Sequence, residues 1–297
     1  KNLKNNGTIK VTNSDSSTGI LAFGTGSGTV TNTGDITISG KSVKSIISDA
    51  SKVVNTGVIT LTGTASSDTD GSVGLAAMNS GTITHTGGGD ITIDGGASIG
   101  VLGQSGGTVD ITGGTIKATG GAFNTYAQGG TVKLNGTTIN TEQKSLAFYA
   151  DNTGGTGKIN FTGATTANIA GGTDANTRGT AFYYKGSGYS PFTASDIGTW
   201  VTNTFNGTTN NLTLNMASGS RLFIASDVAM NLSDTSGSGL SSSLGANIVG
   251  TDYKTFMLYL SKLALNQSID LDNANDAYNQ LEISNSSIDN NNNNTVT

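Results

Sequence analysis

The stretch GGDITIDGGASIGVLGQSGGTVDITGG, residues 88–114, contains three short apolar segments that are each bounded by glycine. Parts of it recur earlier in the chain, because TGDITISG occupies residues 33–40 and TGVITLTG occupies residues 56–63. Alternating Val and Ile in segments of about five residues between glycines are typical of β-strands. A phrase repeated in this way predicts an architecture in which similar strands stack on one another.

Three strand types follow one another in a fixed order. The first type has the pattern Gly-x-Ile and begins near residues 7, 34, 57, 89, 114 and 136. The second type is more apolar and comprises residues 19–23, 43–47, 73–77, 99–103, 123–127, 146–150 and 181–185. The third type comes before the next first-type strand and comprises residues 28–32, 51–55, 81–85, 107–111, 130–134 and 157–161.

The spacing of the repeats decides the architecture. Ile59 follows Ile36 by 23 residues, and Ile116 follows Ile91 by 25 residues. Three strands and three turns fill a unit of this length, whereas a propeller blade needs about 40–45 residues. The sequence therefore predicts an all-β fold, a right-handed parallel β-helix with three strands in each coil. We expect these isoleucines to form one internal ladder, and the recurring glycines to mark corners where φ is positive.

The repeats are regular over residues 1–189 and change over residues 190–297, where we predict a continued β-helix with short helical insertions. We expect both parts to form one continuous domain, a fragment of a longer chain. Ser190 before Pro191 predicts the start of a helix. The apolar face of that helix comprises Ile197, Trp200, Val201 and Phe205.

A second short helix is predicted over residues 239–250. Further strands are predicted at residues 211–216, 221–225, 228–232, 255–260, 268–271 and 280–284.

The composition narrows the class of protein. The chain has 297 residues, with 44 glycines, one proline, no cysteine and a net charge of −5. The glycines lack the three-residue period of collagen. With only two arginines, the chain lacks the basic footprint of a nucleic-acid-binding protein. The absence of cysteine excludes disulfides and thiolate metal sites, and no apolar run is long enough for a transmembrane helix. Because Lys1 is not an initiator Met, we expect a piece of a longer protein.

The N-x-G-x-I turns, the absence of cysteine and the bias toward Thr, Asn and Gly resemble the passenger regions of large type V autotransporter adhesins of Gram-negative bacteria. The segment YKTFMLYLSKLALNQSIDLDNANDAYNQLEISNSS, residues 253–287, is similar to segments that follow the repeats in very large passengers. The resemblance covers nearly the whole chain. It implies export, display at the cell surface or secretion, adhesion to host cells or other bacteria, and attachment to the outer membrane through a C-terminal β-barrel outside this sequence.

The sequence contains few groups of residues that could form a catalytic site. A glycosidase needs two carboxylates about 5–9.5 Å apart, but Glu142 and Glu282 are the only glutamates. Asp35 and Asp90 share a column and are interpreted as polar turn residues. A lyase would need clustered basic residues, and we expect the two arginines to lie far apart. His85, the only histidine, is interpreted as a solvated or turn residue. We therefore predict no enzymatic activity, no metal and no cofactor.

The second-type strands offer a different kind of site. If alternate positions such as Leu75, Val101 and Phe148 point inward, the positions between them point outward. In successive coils the outward position reads Leu21, Ile46, Ala76, Leu102, Tyr126, Tyr149 and Tyr184. Such an apolar-to-aromatic row favours binding of a partner, and we predict Leu102 and the three tyrosines as binding residues. Two alternatives remain open: the register is shifted by one residue, which buries the row, or the Trp200 helix covers it.

The leading hypothesis is a non-catalytic, monomeric adhesin that binds a protein or glycan receptor and no nucleic acid. The alternative is a polysaccharide-degrading β-helix, either a lyase or a glycosidase. A third hypothesis, ice binding, requires flat Thr-x-Thr rows such as Thr29-Val-Thr31 and Thr82-Ile-Thr84.

Overall fold

The structure is a computed structural model that describes residues 2–63, 71–151, 156–231, 243–265, 281–290 and residue 293. Within these ranges the chain forms a parallel β-solenoid of about nine turns. Its strands form three parallel sheets, in which each strand pairs with its counterparts in neighbouring coils. The predicted all-β, three-stranded coil is therefore confirmed.

Each sheet is formed by one of the three strand types. The first sheet contains the third-type strands, the second sheet contains the first-type strands, and the third sheet contains the second-type strands. The first sheet contains, in stacking order, Leu3–Asn5, Thr29–Asn32, Lys52–Asn55, Thr82–His85, Thr108–Thr112, Thr131–Asn135 and Lys158–Phe161. The second sheet contains Ile9–Val11, Ile36–Ser39, Ile59–Thr62, Ile91–Asp94, Thr115–Thr119, Thr138–Thr141, Thr165–Ile169, Leu212–Met216 and Asn247–Val249. The third sheet contains Thr18–Phe23, Lys44–Asp49, Val73–Met78, Ile99–Gln104, Phe123–Gln128, Leu146–Asp151, Thr180–Pro191, Arg221–Asn231, Lys254–Tyr259 and Leu281–Ser284, with Lys262–Ala264 and Ser287–Asp289 beside its last strands.

The core is built from columns of like residues. Ile36 pairs with Ile59, Ile59 with Ile91, and Ile91 with Ile116. All four side chains are buried, as the 23- and 25-residue spacings predict. Because a strand spacing of about 4.8 Å separates the coils, each isoleucine contacts the same side chain above and below.

The glycine of the repeated phrase has a steric role. A Cβ atom at Gly57 would lie 2.0 Å from the carbonyl oxygen of Gly34, and one at Gly34 would lie 2.1 Å from that of Gly7. Neither Gly34 nor Gly57 has a positive φ, so the predicted reason for these two glycines is wrong. The coils approach so closely at this corner that only a residue without a side chain fits.

A polar ladder runs beside this glycine column. Asn5 Nδ2 donates to Asn32 Oδ1 at 2.7 Å, and Asn32 Nδ2 donates to Asn55 Oδ1 at 2.6 Å. Each of these asparagines also donates to the carbonyl of the glycine two residues later, at position 7, 34 or 57. The N-x-G turn therefore satisfies buried polar groups both within and between coils.

His85 is the next rung of the ladder and is 1% exposed, so the interpretation of it as a solvated residue is wrong. Its Nε2 atom lies 2.7 Å from the carbonyl oxygen of Gly89 and its Nδ1 atom lies 2.7 Å from Asn55 Nδ2. Because a carbonyl only accepts, Nε2 carries the proton and Nδ1 accepts from the amide. The turn is two residues longer here, and the longer imidazole reaches the distant glycine.

The described residues contain one α-helix of several turns, Ala194–Phe205. Its N-cap is Thr193, whose hydroxyl accepts from the Asp196 amide while the Asp196 carboxylate accepts from the Thr193 amide. The predicted start at Ser190 and Pro191 is wrong, because both residues end a strand of the third sheet. This capping box fixes the start of the helix instead.

The apolar face of the helix is as predicted. Ile197, Val201 and Phe205 are buried, and Trp200 packs against the core. Phe205 stacks on Phe161 of the last first-sheet strand with ring centroids 5.7 Å apart. In the chain the helix lies between a third-sheet strand and a second-sheet strand, where earlier coils have a first-sheet strand. The helix therefore covers the core beyond Phe161, where the first sheet ends.

The rest of the C-terminal third agrees only in part with the sequence prediction. A 3₁₀ turn over Thr209–Asn211 leads into the next second-sheet strand. Asn247–Val249 is a strand within the predicted second helix of residues 239–250, whose first residues lie outside the described ranges. The predicted strand at residues 268–271 also lies outside them.

Replacing Gly57 with Ala is expected to lower the free energy of unfolding by about 2–3 kcal/mol, because the new Cβ overlaps the Gly34 carbonyl. Gly26 is the matched control, since a Cβ there has no neighbour within 4 Å. Thermal unfolding followed by circular dichroism measures both variants. Equal thermal midpoints for Gly57→Ala and Gly26→Ala would contradict the steric role of the glycine column.

Replacing His85 with Gln is expected to remove an acid sensitivity of the fold. Burial lowers the pKa of His85 from its ordinary 6.5, although the Gly89 carbonyl and Asp90 oppose the shift. The unfolded chain therefore binds a proton before the folded chain does, and stability falls as pH drops below about 6.5. Chemical denaturation between about pH 7.5 and pH 5.5 should show that the free energy of unfolding falls with pH in the native chain and falls less in the variant. An equal fall in both would mean that groups other than His85 cause it.

Candidate functional site

The outward face of the third sheet carries one column that changes character along the solenoid. Strand register places these residues above one another: Leu21, Ile47, Ala76, Leu102, Tyr126, Tyr149, Tyr183, Ile224 and Met257. We call Tyr126, Tyr149 and Tyr183 the tyrosine column. The column is aliphatic in the early coils, aromatic in the middle and aliphatic again in the late coils.

Two members of the predicted row are wrong by one residue. Ile46 pairs with Leu75 and is fully buried in the core, so Ile47 takes the outward position. Tyr149 pairs with Tyr183 rather than Tyr184. In both places the sequence has two neighbouring residues of the same type, and alternation alone does not decide which one points outward.

Tyr184 instead belongs to the packing around the helix. Its ring lies 5.3 Å from Phe192 and 5.6 Å from Trp200, measured between centroids. Trp200 also contacts Phe182 and Phe223, which face the core. The helix therefore covers Tyr184, and the tyrosine column stands on the other face of the same strands.

Leu102, Tyr126 and Tyr149 do share the outward column, as predicted. Leu102 is only 8% exposed because it packs with Ile47, Val73 and Ala76. Tyr126 is half-buried against this cluster. Leu102 therefore acts as an apolar support. Beyond the exposed Leu21 of the first coil, the column is buried as far as Leu102 and is partly accessible again at Tyr126.

The tyrosine column is a continuous ring stack. The rings of Tyr126 and Tyr149 are stacked with centroids 4.6 Å apart, and those of Tyr149 and Tyr183 meet edge to face at 4.9 Å. Phe123 packs edge-on against Tyr126 and Tyr149. Each such pair adds about 0.5–1.5 kcal/mol beyond the area that it buries. The stack is therefore held in place by contacts within the solenoid.

The hydroxyl groups of the column are fixed as well. Tyr126 donates to Asp151 Oδ2 at 2.5 Å, and Tyr149 donates to the same oxygen at 3.4 Å. Tyr183 donates to Ser226 Oγ at 2.9 Å. Burial raises the pKa of Tyr126 and of Tyr149, and the Asp151 carboxylate raises both further. These phenols stay protonated, so they serve as donors and not as nucleophiles.

A groove of about 390 Å³ adjoins the column at its C-terminal end. Its lining combines apolar side chains with cations and includes Phe123, Leu146, Tyr149, Tyr183, Ile224, Met257, Lys144, Lys185, Arg178 and Arg221. We call it the third-sheet groove. It is the place where accessible aromatic, aliphatic and basic groups converge.

The two arginines meet at this groove, contrary to the expectation that they lie far apart. Arg178 Nε contacts Glu282 Oε1 at 2.8 Å, and Arg221 Nη2 contacts Glu282 Oε2 at 2.7 Å. Arg221 Nε also donates to Glu282 Oε2 at 2.8 Å. Burial lowers the pKa of Arg221, and Glu282 opposes that shift. Because Glu282 is 61 and 104 residues from its partners, no local sequence signal reveals this cluster.

Further donors of both arginines are also used, although the described residues give Arg178 Nη2 no hydrogen bond. Arg178 Nη1 donates to the carbonyls of Gly172 and Gly219. Arg221 donates to Thr180 Oγ1 and to the carbonyl of Ala175. Both guanidinium groups therefore hold the chain together at this corner and are poorly suited to take a proton from a substrate.

The other residues considered for chemistry have structural contacts. Asp35 accepts from the Val58 amide at 3.0 Å, and Asp90 accepts from the Thr115 amide at 2.9 Å. Each carboxylate thus joins one coil to the next. Within the described ranges, no group of three or more His, Asp or Glu could hold a metal ion.

The threonine rows needed for ice binding are interrupted. The outward column of the first sheet reads Thr29, Lys52, Thr82, Thr108, Thr131 and Lys158. Two lysines break the flat hydroxyl surface, and the neighbouring column is equally mixed. This face does not have the regularity that the hypothesis requires.

The comparisons with known proteins give one partial match. A family model described as the BigA third pectate lyase-like domain matches residues 1–88, which are the regular early coils. No curated protein and no solved structure matches the chain. Residues 1–88 are therefore similar to a pectate lyase-like β-helix domain, and the groove lies outside the matched part. In the part of the chain that the structure describes, no helix is long and apolar enough to cross a membrane.

Replacing Glu282 with Gln is expected to destabilise the late coils by about 3 kcal/mol, because two buried guanidinium groups lose their shared counter-ion. The only other glutamate, Glu142, is the matched control. It pairs with Lys117 at 3.3 Å on the exposed surface, so Glu142→Gln should cost less than about 1 kcal/mol. Thermal unfolding compares the two, and equal losses would contradict the structural importance of the cluster.

Proposed function

We propose that this β-solenoid is a non-catalytic adhesin passenger, displayed at the cell surface or secreted, that attaches a bacterium to host cells or other bacteria. The tyrosine column carries the proposal. Large rigid aromatic side chains on an accessible face are enriched at the centres of protein interfaces. Other exposed aromatic side chains on this sheet, Phe23 and Tyr189, do not line the groove. Support also comes from the architecture, because stacked coils hold a binding face on a rigid rod.

The description of the matching family model favours a second candidate, a polysaccharide-degrading enzyme. Such an enzyme needs an available base or a pair of carboxylates at a cleft. In the third-sheet groove the arginines are committed to Glu282 and to backbone carbonyls. Incubation of the chain with pectate and other polysaccharides, with reducing ends measured over time, separates the two candidates. Turnover would overturn the non-catalytic proposal.

The combined change Tyr149→Ser and Tyr183→Ser is expected to reduce binding of the purified chain to its target cells at least about tenfold, since central aromatic anchors dominate interface energies. Tyr189→Ser is the matched control, because Tyr189 is 44% exposed on the same sheet but does not line the groove. Binding is measured by flow cytometry with labelled protein, and circular dichroism checks the fold. Full binding by a folded double variant would contradict the proposed role of the column.

A further inference from the structure

The third-sheet groove concentrates positive charge in an acidic protein. The whole chain has a net charge of −5, yet Lys144, Lys185, Arg178 and Arg221 all line this one groove. Lys144 and Lys185 are exposed and form no ion pair with any described residue. The local field therefore attracts an anionic group against the charge of the molecule as a whole.

The arginine cluster adds a buried positive charge to this field. Two guanidinium groups share the single carboxylate of Glu282, so one positive charge remains without a counter-ion in the cluster. The Arg178 side chain is only 10% exposed, and a buried unpaired charge is costly. Within the described structure, Nε and Nη1 make the hydrogen bonds of this side chain, which leaves Nη2 for a ligand carboxylate.

The floor of the groove indicates the shape of the ligand. Lining residues come from five successive third-sheet strands, from Phe123 to Met257 and Tyr259. Four strand spacings of about 4.8 Å give a length of about 19 Å. An extended peptide covers that length with about six residues. The ligand is therefore elongated along the solenoid axis.

The chemistry of the floor favours a protein over a glycan. Tyr126 and Tyr149 stack on each other, so the ring faces that a sugar would use are partly covered. The floor also contains Leu146, Ile224 and Met257. Aromatic residues, Met and Arg are the types enriched at protein interfaces.

We propose that the third-sheet groove binds an extended segment of a partner protein that carries acidic and apolar side chains, with one carboxylate paired to Arg178. This inference rests on the proposed adhesive function and names the chemistry of its receptor. Apolar side chains of the segment lie on the tyrosine column and on Ile224 and Met257. Its acidic side chains lie toward Lys144 and Lys185.

The test uses the full chain and a phage library of random peptides of about eight residues, a length that covers the groove. Selected peptides should be enriched in Asp or Glu together with Leu, Ile, Phe or Tyr. The strongest are synthesised, and their Kd is measured by fluorescence anisotropy.

The combined change Lys144→Gln and Lys185→Gln should weaken binding about tenfold, and so should a rise in salt from about 0.05 M to about 0.5 M. Lys10→Gln with Lys133→Gln, exposed or half-buried lysines on the other sheets, is the charge-matched control.

The outcomes separate this inference from the proposed function. If no acidic peptide is enriched, or if the lysine variants bind equally, the acidic-segment proposal is wrong. If an oligosaccharide array binds through the tyrosine column while the peptides do not, the adhesive function stands and the protein ligand is wrong. If the change Tyr149→Ser with Tyr183→Ser leaves cell attachment intact, the proposed function fails as well.

Discussion

Each coil of this solenoid lies one strand spacing, about 4.8 Å, from the next. Each side chain therefore has to pack between the residues that lie directly above and below it in the neighbouring coils. This contact between coils explains the repeated phrase. At the corner before the second sheet the backbones are so close that a Cβ at Gly57 would lie 2.0 Å from a carbonyl oxygen. Two residues after this glycine, isoleucine packs on isoleucine in the core. Two residues before it, an asparagine ladder satisfies the buried polar groups.

The same constraint shows where function can reside. The isoleucine column holds the coils together and keeps its residue type from Ile36 to Ile139. The asparagine column passes through His85 to the aliphatic Ile111 and stays buried there. The outward column of the third sheet is different, because its change from aliphatic residues to the tyrosine column and back lies on the outside of the solenoid. Its neighbourhood also contains the only two arginines and one of the two glutamates. A face that departs from the repeat, while its rings and hydroxyls are held rigidly, is suited to recognising a partner.

The sequence predicts the regular part of the structure well, because spacing and alternation are properties of the repeat. Ile36, Ile59, Ile91 and Ile116 lie where the spacing puts them. Prediction fails where local pattern is ambiguous or where contacts are distant. Ile46 and Tyr184 each stand beside a residue of the same type, so the outward row shifts by one. Glu282 reaches Arg178 and Arg221 only through stacking of strands far apart in the chain. His85 is buried because the strand register places it beside Asn55 in an inward column, two residues after the buried Ile83.

The central claim is that the outward face of the third sheet, and no other face, contacts the receptor. The most direct measurement places photoreactive benzoylphenylalanine at position 183 or, for comparison, at position 92 on the outward face of the second sheet, and illuminates the labelled chain on target cells. We expect covalent capture of a cell-surface protein from position 183 and none from position 92. Equal capture from both positions, or capture from position 92 alone, would contradict the claim.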